Sequence, residues 1–263
     1  MNKRSLHGSI VDWISAMLKH RCIISRLGES TITVSTSKGC PQGGSLSPLL
    51  WSLIVDELLN NLIAMGFEVI GYADDIVLIV RGKHCDTLSN RMQTALNYTL
   101  AWCRGEGLNV NPSKATLVIF TRKRNVNITA PSLDGVQMTL STQVKYLGVL
   151  LDNKLNWNIH LEHVVSKATS AFWVCRRAIG RKWGLRPSII HWIYLTVIRP
   201  KVTYASLIWW PKTKIKSVQQ KLAKLQRLST KSITGAMRST STLTLHRRSN
   251  ASATIASICA TGS

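Results

Sequence analysis

Acidic residues are scarce in this 263-residue chain, and the scarcity is uneven. Twelve Asp and Glu stand against 34 Lys and Arg, for a net charge of +22. Before Asn153 the balance is 15 basic to 11 acidic, a net +4; from Asn153 onward Glu162 is alone against 19, a net +18. So one-sided a half is a candidate to bind a polyanion. Paired cysteine spacings are lacking too. Cys22, Cys40, Cys85, Cys103, Cys175 and Cys259 lie far apart, so no zinc or redox pattern emerges and reduced, mostly buried thiols are expected. No apolar run reaches the roughly 20 residues that span a bilayer. Met1-Asn2-Lys3-Arg4 is followed by no apolar core of signal-peptide length. The chain is therefore expected to work inside a cell, in nucleus or cytoplasm, without a membrane partner. It contains no internal repeat.

What the chain does have is a stretch that organises the rest: Val69-Ile70-Gly71-Tyr72-Ala73-Asp74-Asp75-Ile76-Val77-Leu78-Ile79-Val80. β-Branched and aliphatic residues on both sides favour buried strands, whereas Asp-Asp tolerates the irregular dihedrals of a turn. The expectation is a hairpin with both acids at its tip. Neighbouring carboxylates repel, and a hard divalent cation relieves that repulsion, which suits magnesium. An ordinary acidic turn is the plainer reading of Asp-Asp taken alone.

Upstream, Ile10, Ile14, Met17 and Leu18 recur at helical spacing, predicting a short helix over residues 10–21. Residues 31–36 alternate as a strand and lead into a Gly39-Cys40-Pro41-Gln42-Gly43-Gly44 loop. A helix follows, with Ser47 placed as N-cap, Pro48 at its first position and Leu50, Ile54, Leu58 and Leu62 on one face until Gly66. Downstream, Asp86 is expected to cap a helix striped by Leu88, Met92, Leu96 and Leu100. Residues 116–121 and 144–150 are expected as strands, with a hairpin turn at Asp134-Gly135. Gly148 suggests close backbone approach. Helical patterns then cover residues 159–181, 187–198 and 215–233. The last sets Ile215, Val218, Leu222 and Leu225 opposite Lys216, Lys221, Lys224, Arg227 and Lys231. From Ser239 the Ser/Thr/Ala-rich sequence reads as a poorly ordered tail.

The pairing of Lys38-Gly39-Cys40-Pro41-Gln42-Gly43-Gly44-Ser45-Leu46-Ser47-Pro48 with Tyr72-Ala73-Asp74-Asp75 resembles a reverse transcriptase, specifically that of non-LTR, jockey-like retrotransposons. Gly107-Leu108-Asn109-Val110-Asn111-Pro112-Ser113-Lys114 and Lys145-Tyr146-Leu147-Gly148-Val149 resemble that family's next two motifs. Ala171-Phe172-Trp173-Val174-Cys175-Arg176-Arg177 and Tyr204-Ala205-Ser206-Leu207-Ile208-Trp209-Trp210-Pro211 resemble the helical region behind its palm. The resemblance implies an α+β fold: a polymerase palm, with an antiparallel sheet and packed helices, over residues 1–152, and an all-helical thumb-like region over residues 153–238. Residues 239–263 are the tail.

It also implies two-metal nucleotidyl transfer to a primer 3′-hydroxyl, with Mg2+ held by Asp74 and Asp75 as catalytic carboxylates. Tyr72 would lie beneath the primer end and the incoming nucleotide, and Gln42 and Gly43 against template and nascent pair. Lys114 would stand near the triphosphate, and Tyr146, Leu147 and Gly148 would form the primer grip. The implied partners are an RNA template, a DNA primer and deoxynucleoside triphosphates. Tryptophans 173, 183, 192, 209 and 210 are expected mainly in the core.

The family's first catalytic aspartate, in a D-x-x-x-A-F/Y-D pattern, has no counterpart in this sequence; Asp12 sits in a helical pattern and does not replace it. A two-metal site short of one carboxylate binds its ions weakly. The expectation is an RNA-directed DNA polymerase by lineage that is inactive or nearly so as this chain, the alternative being a non-catalytic nucleic-acid clamp.

Overall fold

A computed structural model describes residues 7–19, 21–36, 39–41, 43–123, 126–177, 186–237 and 239–241. Gln42, Trp183 and most of the predicted tail lie outside the described residues. The chain divides into two compact units, one formed by residues 1–115 and 125–139, the other by residues 116–124 and 140–263.

The first unit opens with α1 (Gly8–Leu18) and a hairpin of β1 (Arg21–Leu27) and β2 (Ser30–Thr36). β1 was not expected from the sequence, because Arg21-Cys22-Ile23-Ile24-Ser25-Arg26 does not alternate in polarity. β2 covers the alternating stretch 31–36 expected as a strand, and the residues of both strands are largely exposed. α2 (Ser47–Ala64) buries Leu50, Val55, Leu58 and Leu62. Ile54, expected on that face, is exposed, although Leu50 one turn before it and Leu58 one turn after it are buried. Ser47 is not the N-cap. Its Oγ–H donates instead to the Pro41 carbonyl at 2.6 Å, tying the preceding loop to the helix. At the far end Gly66 takes a left-handed φ of +81°. The Phe67 N–H there donates to Leu62 O, so Phe67 turns back onto the helix it follows.

β3 (Glu68–Tyr72) and β4 (Asp75–Ile79) pair antiparallel, with Val69 opposite Leu78 and Tyr72 opposite Asp75. α3 (Cys85–Gly105) starts one residue before Asp86, which lies in its first turn rather than capping it. Leu58, Leu62, Phe67 and Ala95 are the buried centre, with Val69, Ile76, Leu78, Val80, Tyr98 and Trp102 packed around them. α2 and α3 thus cover one face of the β3–β4 hairpin. The expected turn at Asp134-Gly135 is present: β6 (Ser132–Leu133) and β7 (Val136–Gln137) flank it, both turn residues have positive φ, and Arg104 pairs with Asp134.

The second unit holds β5 (Leu117–Val118), β8 (Leu140–Ser141), β9 (Gln143–Tyr146) and β10 (Val149–Asp152). β5 and β8 pair in parallel. The strands therefore form five two-stranded ladders, four antiparallel and one parallel, among the described residues, not the single antiparallel sheet expected. Several are only two residues long and too short to recruit a neighbour. The predicted strand 144–150 is in fact the β9–β10 hairpin, broken at Leu147-Gly148, both at positive φ.

Helices follow: α4 (Asn158–Arg177), α5 (Pro187–Ile193), α6 (Arg199–Thr203), α7 (Ser206–Trp209) and α8 (Lys216–Thr234). A π turn at Tyr194–Ile198 joins α5 to α6 just ahead of Pro200, whose ring would crowd the carbonyl four residues back in a regular helix. Leu161, Val164, Ala168 and Phe172 of α4, Val218, Leu222, Leu225 and Ile233 of α8, and Tyr194, Ile198, Val202 and Trp209 between them form one core. Trp209 is buried as expected, whereas Trp173 and Trp192 are exposed.

Asp152 ties β10 to α4. Its buried carboxylate accepts the Asn156 and Trp157 N–H groups, both at 3.0 Å, in a loop where Leu155 and Trp157 hold positive φ. Burial alone raises the Asp152 carboxyl, but these and neighbouring backbone hydrogen bonds outweigh it and hold the group below its ordinary value. Asp152→Ala removes both acceptors and releases two strained residues. A loss of about 3 kcal/mol is expected in chemical denaturation, and roughly half that for Asp152→Asn, which keeps one acceptor.

His160, fully buried, accepts the Leu150 N–H on Nδ1 at 3.2 Å, which places its proton on Nε2. That nitrogen has no hydrogen-bond partner among the described residues. Burial, and secondarily the charge of His163, push the His160 pKa down. The unfolded chain then binds more protons below about pH 6.5, so stability present above that pH is lost as pH falls toward the folded-state pKa. Between pH 7.5 and 5 the wild type should lose up to about 1.4 kcal/mol per pH unit relative to His160→Asn, measured by denaturation at each pH.

Candidate active site

The β3–β4 hairpin carries Asp74 in a two-residue turn and Asp75 directly after it. Because Tyr72 pairs with Asp75, Ala73 and Asp74 alone form the turn and Asp75 opens β4. The acids were expected together at the tip; only Asp74 is in the turn. Directly paired residues share a face, so Tyr72 and Asp75 project together, away from the side on which Val69, Ile76 and Leu78 meet the core. That outer face is open: Tyr72 is 61% exposed and both Asp residues are exposed. No donor engages either carboxylate among the described residues, so their oxygens remain available to a cation.

Two features of α2 set the hairpin's position. At Gly71 the strand lies so close that a Cβ would come within 3.0 Å of Leu59 Cδ1. Two helical turns earlier, the Trp51 indole N–H donates to the Ala73 carbonyl at 2.7 Å. Trp51 was not singled out in the sequence. The available signal was a tryptophan in the helical stretch preceding the acids, since an indole that packs there needs an acceptor for its N–H.

Gly43, with φ +79°, lies in a turn closed by the Gly44 N–H to Pro41 O, just before α2. A Cβ on Gly44 would meet Ser47 Oγ at 2.8 Å, so this loop is packed against the helix start. Lys114 ends a 3₁₀ turn, Pro112–Lys114, capped by Asn111 through the Ser113 N–H. Tyr72, Asp74 and Asp75 are thus brought together on one hairpin, and Gly43 and Lys114 belong to separate loops of the same unit. Tyr146, Leu147 and Gly148 are in the second unit. There Leu147, at φ +44°, is held by the Tyr204 O–H donating to its carbonyl at 2.7 Å, while the Tyr204 ring covers Gly148 so closely that a Cβ would approach it to 3.3 Å.

The donor set can be tested against the implied metal. Mg2+ commonly uses one or two carboxylates and completes its shell with water and substrate phosphates, which Asp74 and Asp75 can satisfy for one ion. A paired-ion centre needs more. No three His, Cys, Asp or Glu side chains gather into a metal-holding group among the described residues.

Comparisons with known proteins agree with the motifs. Residues 2–151 match the family described as reverse transcriptase (RNA-dependent DNA polymerase). The chain is 31% identical over 218 residues to a probable RNA-directed DNA polymerase from transposon BS of Drosophila melanogaster, covering 81% of this chain and 24% of that protein. It is 23% identical over 194 residues to a retrovirus-related Pol polyprotein from the type-1 retrotransposable element R1 of Nasonia vitripennis, covering 72% and 58%. With the RNA-directed DNA polymerase from mobile element jockey of Drosophila funebris the identity is 25% over 180 residues, covering 65% and 19%. The chain thus spans only part of each of these relatives. No solved structure matches it. No helix among the described residues is long and apolar enough to cross a membrane.

Proposed function

The chain belongs to the reverse transcriptase family, within its non-LTR retrotransposon branch, and from that membership we propose that it is part of an RNA-directed DNA polymerase that extends a DNA primer on an RNA template. The observation that carries the reading is the open end of the hairpin, where Tyr72 and Asp75 share an outer face next to Asp74 in the turn. In the reaction the primer 3′-oxygen bonds to the α-phosphorus of a deoxynucleoside triphosphate as the bond to pyrophosphate breaks. A divalent cation at Asp74 and Asp75 would supply charge stabilisation for that exchange.

The chain's own residues bind and orient. Tyr72 supports the primer end and the incoming nucleotide. Gln42 and Gly43 lie against the template and the nascent pair, where a glycine permits close approach. Lys114 neutralises the triphosphate and donates a proton to the departing pyrophosphate. Tyr146, Leu147 and Gly148 hold the primer strand. We assign residues 1–152 to a palm and residues 153–238 to a thumb-like region, whose net charge of +16 neutralises duplex phosphates without reading sequence.

With two carboxylates and no third beside them among the described residues, the chain by itself extends primers only at a trace rate. Incubation with an RNA template, a DNA primer, Mg2+ and deoxynucleotides tests this. Salt-sensitive binding of the template–primer with trace extension is expected. Failure to bind would overturn the assignment, and robust extension would overturn the inference that the centre is incomplete.

A further inference from the structure

We propose that Trp51 is a positioning residue for the carboxylate turn: its indole N–H holds Ala73 in the left-handed conformation that sets the directions of Asp74 and Asp75. Ala73 sits at φ +51°, where a side-chain-bearing residue is disfavoured relative to glycine. Ala-Asp has no strong preference for this turn, so an outside contact must hold it. The Trp51 N–H to the Ala73 carbonyl, at 2.7 Å, is that contact.

The donor is anchored on a rigid element. Trp51, Val55 and Leu59 follow one another at i+4 along α2; Val55 is buried and Leu59 meets the hairpin at Gly71. The helix therefore presses on β3 at one point and secures the following turn at another. An indole suits the task chemically. It donates and cannot accept, and it bonds the backbone carbonyl rather than a carboxylate, so it occupies none of the oxygens a cation would use.

The test compares the full chain with Trp51→Phe, which keeps an aromatic ring and removes only the donor, and with Trp51→Phe/Ala73→Gly. Amide hydrogen exchange is followed at Ala73, Asp74 and Asp75, and affinity for Mn2+ alone is followed by electron paramagnetic resonance. In Trp51→Phe, exchange should quicken and Mn2+ affinity fall by roughly fivefold each, the equivalent of one ordinary hydrogen bond, with the melting temperature little changed. Glycine at position 73 adopts the left-handed conformation without the donor, so the double variant should recover most of both losses.

Exchange within twofold of wild type in Trp51→Phe would overturn the proposal. So would a loss that Ala73→Gly does not restore, because the ring would then be acting through packing alone. The Mn2+ measurement rests on the reading of Asp74 and Asp75 as metal-binding carboxylates, whereas the exchange measurement does not. Wild-type protein that binds no Mn2+, together with quickened and rescued exchange, would confirm the clamp and remove the metal reading instead.

Discussion

Asp74→Asn/Asp75→Asn is expected to reduce primer extension from a trace to background while leaving template–primer binding intact or tightening it. The two readouts separate because the acids have opposite effects on them. For transfer, on the proposed reading, they would hold a cation that offsets charge accumulating on the phosphoryl oxygens, a contribution of several kcal/mol. Its removal lowers the rate by on the order of 10³ or more. For binding, they are two exposed negative charges that a polyanionic template–primer would meet on the proposed reading, and their removal lessens repulsion. The exchange of oxygen for an amide is nearly isosteric, and no donor depends on either carboxylate among the described residues, so stability should be unaffected. Extension and binding lost together would point to a folding defect and contradict this account. Extension retained in the double variant would remove Asp74 and Asp75 from the chemistry.

The hairpin was legible because its sequence carries two independent signals. Apolar residues on either side of Asp-Asp specify strands, and the short polar interruption specifies a turn. The register was not legible: one position decides whether Asp75 is a turn residue or the first residue of β4, and the pairing of Tyr72 with Asp75 settles that only in three dimensions. The turn at Asp134-Gly135 was read correctly from its residue types, since Asp and Gly both tolerate positive φ. The Leu147-Gly148 turn was missed for the converse reason. Leucine at φ +44° is improbable locally and is sustained by Tyr204, which lies 57 residues away.

The same limit explains the contacts that sequence reasoning did not anticipate. Trp51, Tyr204 and Asp152 each compensate a backbone conformation that the local residues do not favour: Trp51 at Ala73, Tyr204 at Leu147, Asp152 at Leu155 and Trp157. A helical or strand period reports which residues face a core. It does not report where a remote side chain meets a strained carbonyl or amide. Ser47 shows this within a few residues, because its hydroxyl could cap the helix or return to Pro41, and the tight Pro41–Gly44 turn draws it to the latter.

Duplex affinity is the remaining large effect. If the basic half engages about six phosphates, binding should weaken on the order of 10³-fold between 50 and 200 mM salt, the signature of counterion release. The structure refines which charges matter. On α8, Lys216 and Lys224 are exposed, whereas Lys221 pairs with the one acid of this half, Glu162, at 2.7 Å, and Arg227 donates to the Thr240 carbonyl at 2.7 Å. A lysine already paired releases fewer counterions when it meets a phosphate. Lys216→Ala/Lys224→Ala should therefore flatten the log–log salt dependence by close to two, and Lys221→Ala by distinctly less than one. Fluorescence anisotropy on an RNA–DNA hybrid across a salt series reads both slopes. Equal slopes for wild type and the double variant would mean that α8 turns its basic face to solvent and that the phosphates are met elsewhere.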